Sequence, residues 1–294
     1  MKEFTQQLLN GLAIGSVYAL VAVGYTLVFG VLRFINFAHG SVLTFAAYVS
    51  LFGMLALKLP FAVAFGGSLV VSGLFSIMVE RQAYRPLRLQ GAPNLNLLIT
   101  SIGVSLLVEN AIIVFYSADF FVFPKVLSSS TISLGGVATI PPVDLLLTGV
   151  AITLMVLLYV FVNYTKMGVA IQALAYDRDA AALMGININL AIAYTFFIAG
   201  TMASAAGVLI GMKFNVNPYL GGLFGVKSFA AAVVGGIGSI PGSYLGGYLI
   251  GILETMGAGY VSSNYKDAIA FVLLVLILLF KPSGLLGRGL QEKV

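Results

Sequence analysis

The chain has no cysteine, one histidine and little charge: Asp, Glu, Lys and Arg make up 9% of its 294 residues. Without cysteine there is no disulfide, no thiolate nucleophile and no Cys-ligated metal. His39 alone builds neither a histidine metal cluster nor a hydrolytic triad, so an enzyme with a metal or a cofactor is not expected. The phosphate loop G-x-x-x-x-G-K-[ST] is missing, so ATP is not bound by that device. No basic run interleaved with aromatics occurs, which sets nucleic acid aside. There is also no large hydrophilic domain to capture a solute.

What remains is apolar. Soluble domains carry about 25% charged residues, and a chain that is 60% hydrophobic cannot hide its surface at this length in water. Charge-free runs extend over Phe4–Leu32, Phe34–Leu57, Leu59–Val79, Leu89–Val108, Leu145–Thr165, Ala180–Met212 and Ser228–Leu253. Apolar runs of about 18 residues or more read as bilayer-spanning helices. Spanning helices are expected over 8–31, 35–57, 60–79, 97–116, 143–162 and 188–211. The first is a membrane helix rather than a cleaved signal, because its apolar part is too long and no small-residue cleavage site closes it. Residues 226–260 are apolar but interrupted by GIGSIPG, Gly236 to Gly242, and residues 268–280 form a last run. The expected fold is an all-α integral membrane protein: one domain over 1–294, a polytopic bundle of about 8–9 segments, with a broken or re-entrant element near 226–242. Gly236, Gly238, Pro241 and Gly242 make the break and Gly246 follows it.

Basic residues orient the bundle. With Arg81, Arg85 and Arg88 in the cytoplasm, the N-terminus lies outside, and Arg33, Lys166 and Arg178 lie inside. If 226–260 is a hairpin, the C-terminal tail with Lys281, Arg288 and Lys293 is inside too, giving nine basic residues inside. Six (Lys2, Lys58, Lys125, Lys213, Lys227, Lys266) are then outside. A single bent span gives seven inside and eight outside, so the hairpin is favoured. Its first arm, near 226–236, is too short to cross as an ideal helix, and non-helical backbone at membrane depth needs protein or water around it.

Residues 163–187, NYTKMGVAIQALAYDRDAAALMGIN, are a polar island on the inner side. Asp177, Arg178 and Asp179 cluster there, and Asp179-Ala180-Ala181 followed by Gly185 has the form D-A-A-x-x-x-G. This is similar to the E-A-A-x-x-x-G loop of ABC importer permeases, although the I-x-L-P that usually follows is not found. The resemblance implies a short cytoplasmic helix that docks on an ATPase subunit, a rigid lever ended by a Gly turn. An ordinary amphipathic loop is the alternative reading.

More of the chain resembles one family. GYTLVFGVLRFINFAHG (Gly24 to Gly40), MGVAIQALAYDRDAAALMGIN (Met167 to Asn187), AGTMASAAGVLIG (Ala199 to Gly211), NPYLG (Asn217 to Gly221), KSFAAAVVGGIGSIPGSYLGG (Lys227 to Gly247) and YKDAIAFVLLVLILLFKPSGLLG (Tyr265 to Gly287) occur in the order of the permeases of high-affinity branched-chain amino acid ABC importers, of the H type. The resemblance implies a plasma (inner) membrane protein that moves leucine, isoleucine and valine. It also implies a related sister permease, two ATPase subunits and an extracytoplasmic binding protein. Urea, short amides or other amino acids are alternative solutes. An ATP-independent secondary transporter is the alternative class, but no inverted repeat is evident.

Within the membrane, Asn36 and His39 beside Arg33, Glu109 with Asn110, and Glu254 are candidates for a path or gate. Each could equally be hydrogen-bonded helix packing. Small-residue pairs such as Gly11 and Gly15, Gly207 and Gly211, and Gly247 and Gly251 allow close helix contact. Asn215, Asn217, Pro218 and 262–265 are expected outside, in reach of the binding protein. Residues 117–142 are too apolar for a free linker and are expected to pack on the membrane face.

Overall fold

A computed structural model describes residues 2–127, 131–134 and 138–287. Apolar residues surround nearly every helix, so each is either buried in the bundle or faces lipid. Long helices α1 (Lys2–Leu32), α2 (Ala38–Leu55) and α3 (Phe61–Val79) come first. A π turn, Glu80–Tyr84, and short α4 (Arg85–Leu89) extend α3. Then follow α5 (Asn94–Tyr116), strands β1 (Ile132–Leu134) and β2 (Ala138–Ile140), and α6 (Pro142–Tyr164). The island forms α7 (Lys166–Tyr176) and α8 (Arg178–Leu183). After α9 (Ile188–Phe214) come α10 (Leu220–Gly235), α11 (Ile240–Tyr260) and α12 (Lys266–Phe280). Among the described residues, seven segments are long and apolar enough to cross a membrane, and α10 and α11 add a hairpin. This is the all-α polytopic bundle expected.

The core is α1, wrapped by α9, α10 and α11. α1 and α11 run antiparallel and touch through glycine. A Cβ on Gly15 would stand 2.9 Å from the Tyr248 Cα, and one on Gly251 would run into the Gly15 backbone. On α9, Gly207 meets the Leu43 carbonyl of α2 and Gly200 meets Ser76 of α3. Lipid tails are as apolar as leucine, so close backbone contact holds such helices together. Meanwhile α5, α6 and α12 keep exposed aliphatic faces at the perimeter.

The described parts of the connector after α5 touch the bundle. Phe123 is buried beside Phe61, and Phe121 forms a bridge with Val216. β1 and β2 pair antiparallel, Ile132 opposite Ile140, and the Gln6 side chain bonds both the Thr139 N–H (2.8 Å) and its carbonyl (2.9 Å).

Residues 226–260 do form a hairpin. Gly236 (φ +113°) and Gly238 (φ +92°) adopt left-handed backbone at its tip. The Ser239 hydroxyl then caps α11 by accepting from Gly242 N–H at 3.2 Å, and Pro241 sits in its first turn. Gly235 and Gly242 abut, as do Ala231 and Gly246. The first arm differs from expectation: it begins at Leu220, where Gly221 packs on Gly40 of α2 and bonds Thr44, contacts that hold a glycine-rich turn in the helix, and its 16 residues span about 24 Å, still short of an apolar core of about 30 Å. Lys227 also corrects the charge count. It is not an outer-loop cation but a buried side chain within α10, held by Glu254 at 2.7 Å and Asp267 at 2.5 Å.

Helix contacts define two ends. The α1 start, the α11 end and the strands share one: Gln7 lies against Thr255 and Gly259. At the other, Arg33 ends α1, Arg81, Arg85 and Arg178 surround the Glu80–Arg88 pair, and the hairpin tip receives the returning chain through Leu285 N–H to Val234 O and Leu286 N–H to Gly235 O, both 2.9 Å. Arg288 and Lys293 lie outside the described residues.

Candidate functional site

Three parts adjoin: the α1–α2 junction, a groove beside it and the island. Arg33 (φ +57°) stops α1, and the chain turns through Asn36 into α2. Asn36 and His39 are both buried. Asn36 Oδ1 accepts from the Tyr84 hydroxyl at 2.7 Å, and its carbonyl accepts from His39 N–H at 3.1 Å. The His39 ring meets Tyr25 edge-on, centroids 4.8 Å apart, and lies against Gly24, where a side chain would not fit. Beside it is a void of about 10 Å³ that Asn36 and Ser76 also line, space for about one water. Asn36 and His39 thus lie together in the turn that joins α1 to α2.

The groove, about 230 Å³, opens on the perimeter between α2, α5 and α10. Its floor is Gly40 against Gly221, in such close contact that neither could carry a Cβ, with Gly221 N–H donating to Thr44 Oγ1 at 2.7 Å. Phe37, Ile102, Leu106 and Val226 give it apolar walls, while Ser41 and Ser105 bond each other at 2.6 Å. Ser101 Oγ receives Phe37 N–H at 3.1 Å and fixes the junction to α5. Such a surface suits an aliphatic group better than a charge.

The island is two capped helices at the basic end. Thr165 caps α7, accepting from Gly168 N–H at 3.0 Å. Asp177 is extended, and its Oδ1 accepts from Asp179 and Ala180 N–H, both at 3.0 Å, so it starts α8. Gly185 (φ +81°) ends α8, with Ile186 N–H bonding Ala181 O at 3.1 Å in the Schellman manner. Ala181 is buried, and Asp179, Ala180 and Gly185 are exposed. Tyr176, Leu183 and Met184 are each more than 80% exposed. Arg33 Nη2 donates to Ala175 O at 2.5 Å and ties α7 to the junction.

Other expected residues lie elsewhere. Asn110 is exposed, bonding back to Leu106 O at 2.8 Å, and Glu109 is half-buried next to it on α5. Glu254 belongs to a separate buried cluster, accepting from Tyr18 OH and Lys227 Nζ at 2.7 Å each. Asp267 there, and Glu80, Tyr84 and Asn189 at the basic end, carried no mark in the sequence, while Lys227 and Arg88 were read only as loop charges. No trio of metal-ligating side chains occurs among the described residues.

Residues 7–278 match the model of a family described as branched-chain amino acid transport system / permease component. The chain belongs to that permease family. The high-affinity branched-chain amino acid transport system permease protein BraD of Pseudomonas aeruginosa is 42% identical, covering 99% of this chain and 98% of BraD. LivH of Escherichia coli K12, a permease protein of the same description, is 40% identical with the same coverage. A shorter stretch, 36% of the chain, is 32% identical to the fructose import permease FrcC of Rhizobium meliloti. Members of this permease family are transport components rather than enzymes, and the apolar helices place the chain in a membrane.

Proposed function

We propose that the chain is a permease subunit of an ABC importer that carries leucine, isoleucine and valine across the plasma (inner) membrane. Two separate ATPase subunits would drive it, an extracytoplasmic binding protein would deliver the solute, and a sister permease would cover the open side of the groove. The observation that carries this reading is similarity to BraD and LivH over nearly the whole length, island included. The basic end with the island faces the cytoplasm, by the positive-inside rule, and the N-terminus lies outside and the C-terminus inside. There Tyr176, Leu183 and Met184 form an apolar surface that water disfavours and an ATPase groove would cover.

Transport follows from two conformations biased by ATP on one side and the loaded binding protein on the other. The groove supplies a path wall, with Asn36 and His39 at its inner turn, and Glu109 and Asn110 further along α5. A branched aliphatic side chain suits its apolar walls. Urea or a short amide would find few polar partners there, since Ser41 and Ser105 already bond each other. The test is co-purification: replacing Leu183 and Met184 with aspartate should release the ATPase subunits while the chain stays folded and membrane-inserted. Undiminished association would refute the docking role.

A further inference from the structure

We propose that the π turn Glu80–Tyr84 is the joint that passes movement of the island to the groove. This rests on the importer reading above. α3 is an unbroken α-helix up to Val79, after which Arg85 N–H bonds Glu80 O, an i→i+5 closure. Such turns are rare and cluster at functional places in helices. The turn holds one residue more than α closure needs. Handing that residue along the helix is a discrete step, which gives the two arrangements a coupling element requires.

The turn touches both sides. Glu80 is a buried carboxylate whose side chain is 2% exposed, and it pairs with Arg88 at 3.1 Å. Burying an ion pair seldom adds stability over apolar packing, so this one is better explained by what it positions. Arg88 Nη2 also donates to Asn189 Oδ1 at 2.8 Å. Asn189 is in the first turn of α9, just after the island ends at Gly185 and Asn187, and Arg178 of α8 lies near Arg88. At the other end of the turn, the buried Tyr84 donates to Asn36 at 2.7 Å and packs against Phe34 (5.2 Å) and Phe196 (5.6 Å). Asn36 directly precedes Phe37, Gly40 and Ser41 of the groove. Three side-chain contacts, Asn189 to Arg88, Arg88 to Glu80 and Tyr84 to Asn36, therefore join the island to the groove, with the backbone of the π turn and of the flanking segments linking them. Glu80, Tyr84 and Arg88 are positioning residues in this scheme and touch no solute.

The experiment uses the whole complex in proteoliposomes and counts ATP hydrolysed per leucine imported. Tyr84→Phe keeps the ring and removes one hydrogen bond. It should leave assembly and basal ATPase unchanged and raise the ratio about twofold to tenfold, the worth of one neutral hydrogen bond. Glu80→Gln keeps the buried shape and carries the same expectation if Tyr84→Phe fails to assemble. Because the links are in series, the double variant should be within about twofold of the worse single. A loss that was merely structural would lower assembly and leave the ratio alone, which would overturn the joint, as would a wild-type ratio in both variants. If the wild-type complex itself imports no leucine with ATP, the importer reading falls and the joint with it.

Discussion

Replacing Lys227 with methionine removes the cation that two carboxylates share. Lys227 and Glu254 side chains are 4% and 7% exposed and 2.7 Å apart. The substitution leaves Glu254 buried with only the Tyr18 hydroxyl to stabilise it. Breaking a buried pair in this way costs about 3–5 kcal/mol. The Asp267 contact is worth about 1 kcal/mol or less, because that side chain is 47% exposed. A domain somewhat smaller than this one loses about 2–4 °C in Tm per kcal/mol, so Lys227→Met should lower Tm by about 6–20 °C. Combining it with Glu254→Met removes both charges and leaves an apolar pocket, which is often neutral. The double variant should recover most of the loss, giving a coupling energy of about 3 kcal/mol. Heating the purified chain in lipid nanodiscs and measuring the fraction still monodisperse gives all four values. A single variant within about 2 °C of wild type, or a double variant less stable than either single, would refute the reasoning.

Two further outcomes are expected. Gly251→Val drives a side chain into the Gly15 backbone, which cannot yield as a flexible side chain would; it should cost at least about 1–3 kcal/mol, visible as a lower Tm in the same assay. Asp177→Ala removes the two cap bonds of α8 at about 1 kcal/mol, so amide exchange over 179–183 should accelerate about fivefold while Tm holds.

Length and punctuation made much of the fold legible. Charge-free runs mark the spans because an unpaired charge is costly in lipid, and GIGSIPG marks the hairpin because Gly236 and Gly238 need left-handed backbone. The stop of the island was readable for the same reason, in Gly185, whereas the break at Asp177 that divides the island into α7 and α8 was not singled out. Faces were not readable: helices that are apolar all round carry no periodic signal, so nothing in the sequence turns Asn110 outward or Glu254 inward. Lys227 read as a loop charge because its partners are 27 and 40 residues away. The π turn itself, Glu80-Arg81-Gln82-Ala83-Tyr84, reads as an ordinary helical run, and its one sequence mark is Pro86 just after it, which has no N–H for the Gln82 carbonyl. The groove is visible only after Gly40 and Gly221, far apart in sequence, have met.

The most direct test of the importer account is uptake of radiolabelled leucine by proteoliposomes that hold this chain with its sister permease, ATPases and binding protein. Asp179→Lys and Gly185→Trp variants would be assayed alongside. ATP-dependent uptake is expected, and both variants should abolish it together with ATPase association. Uptake that needs no ATP and survives both substitutions would contradict it and point to a secondary transporter.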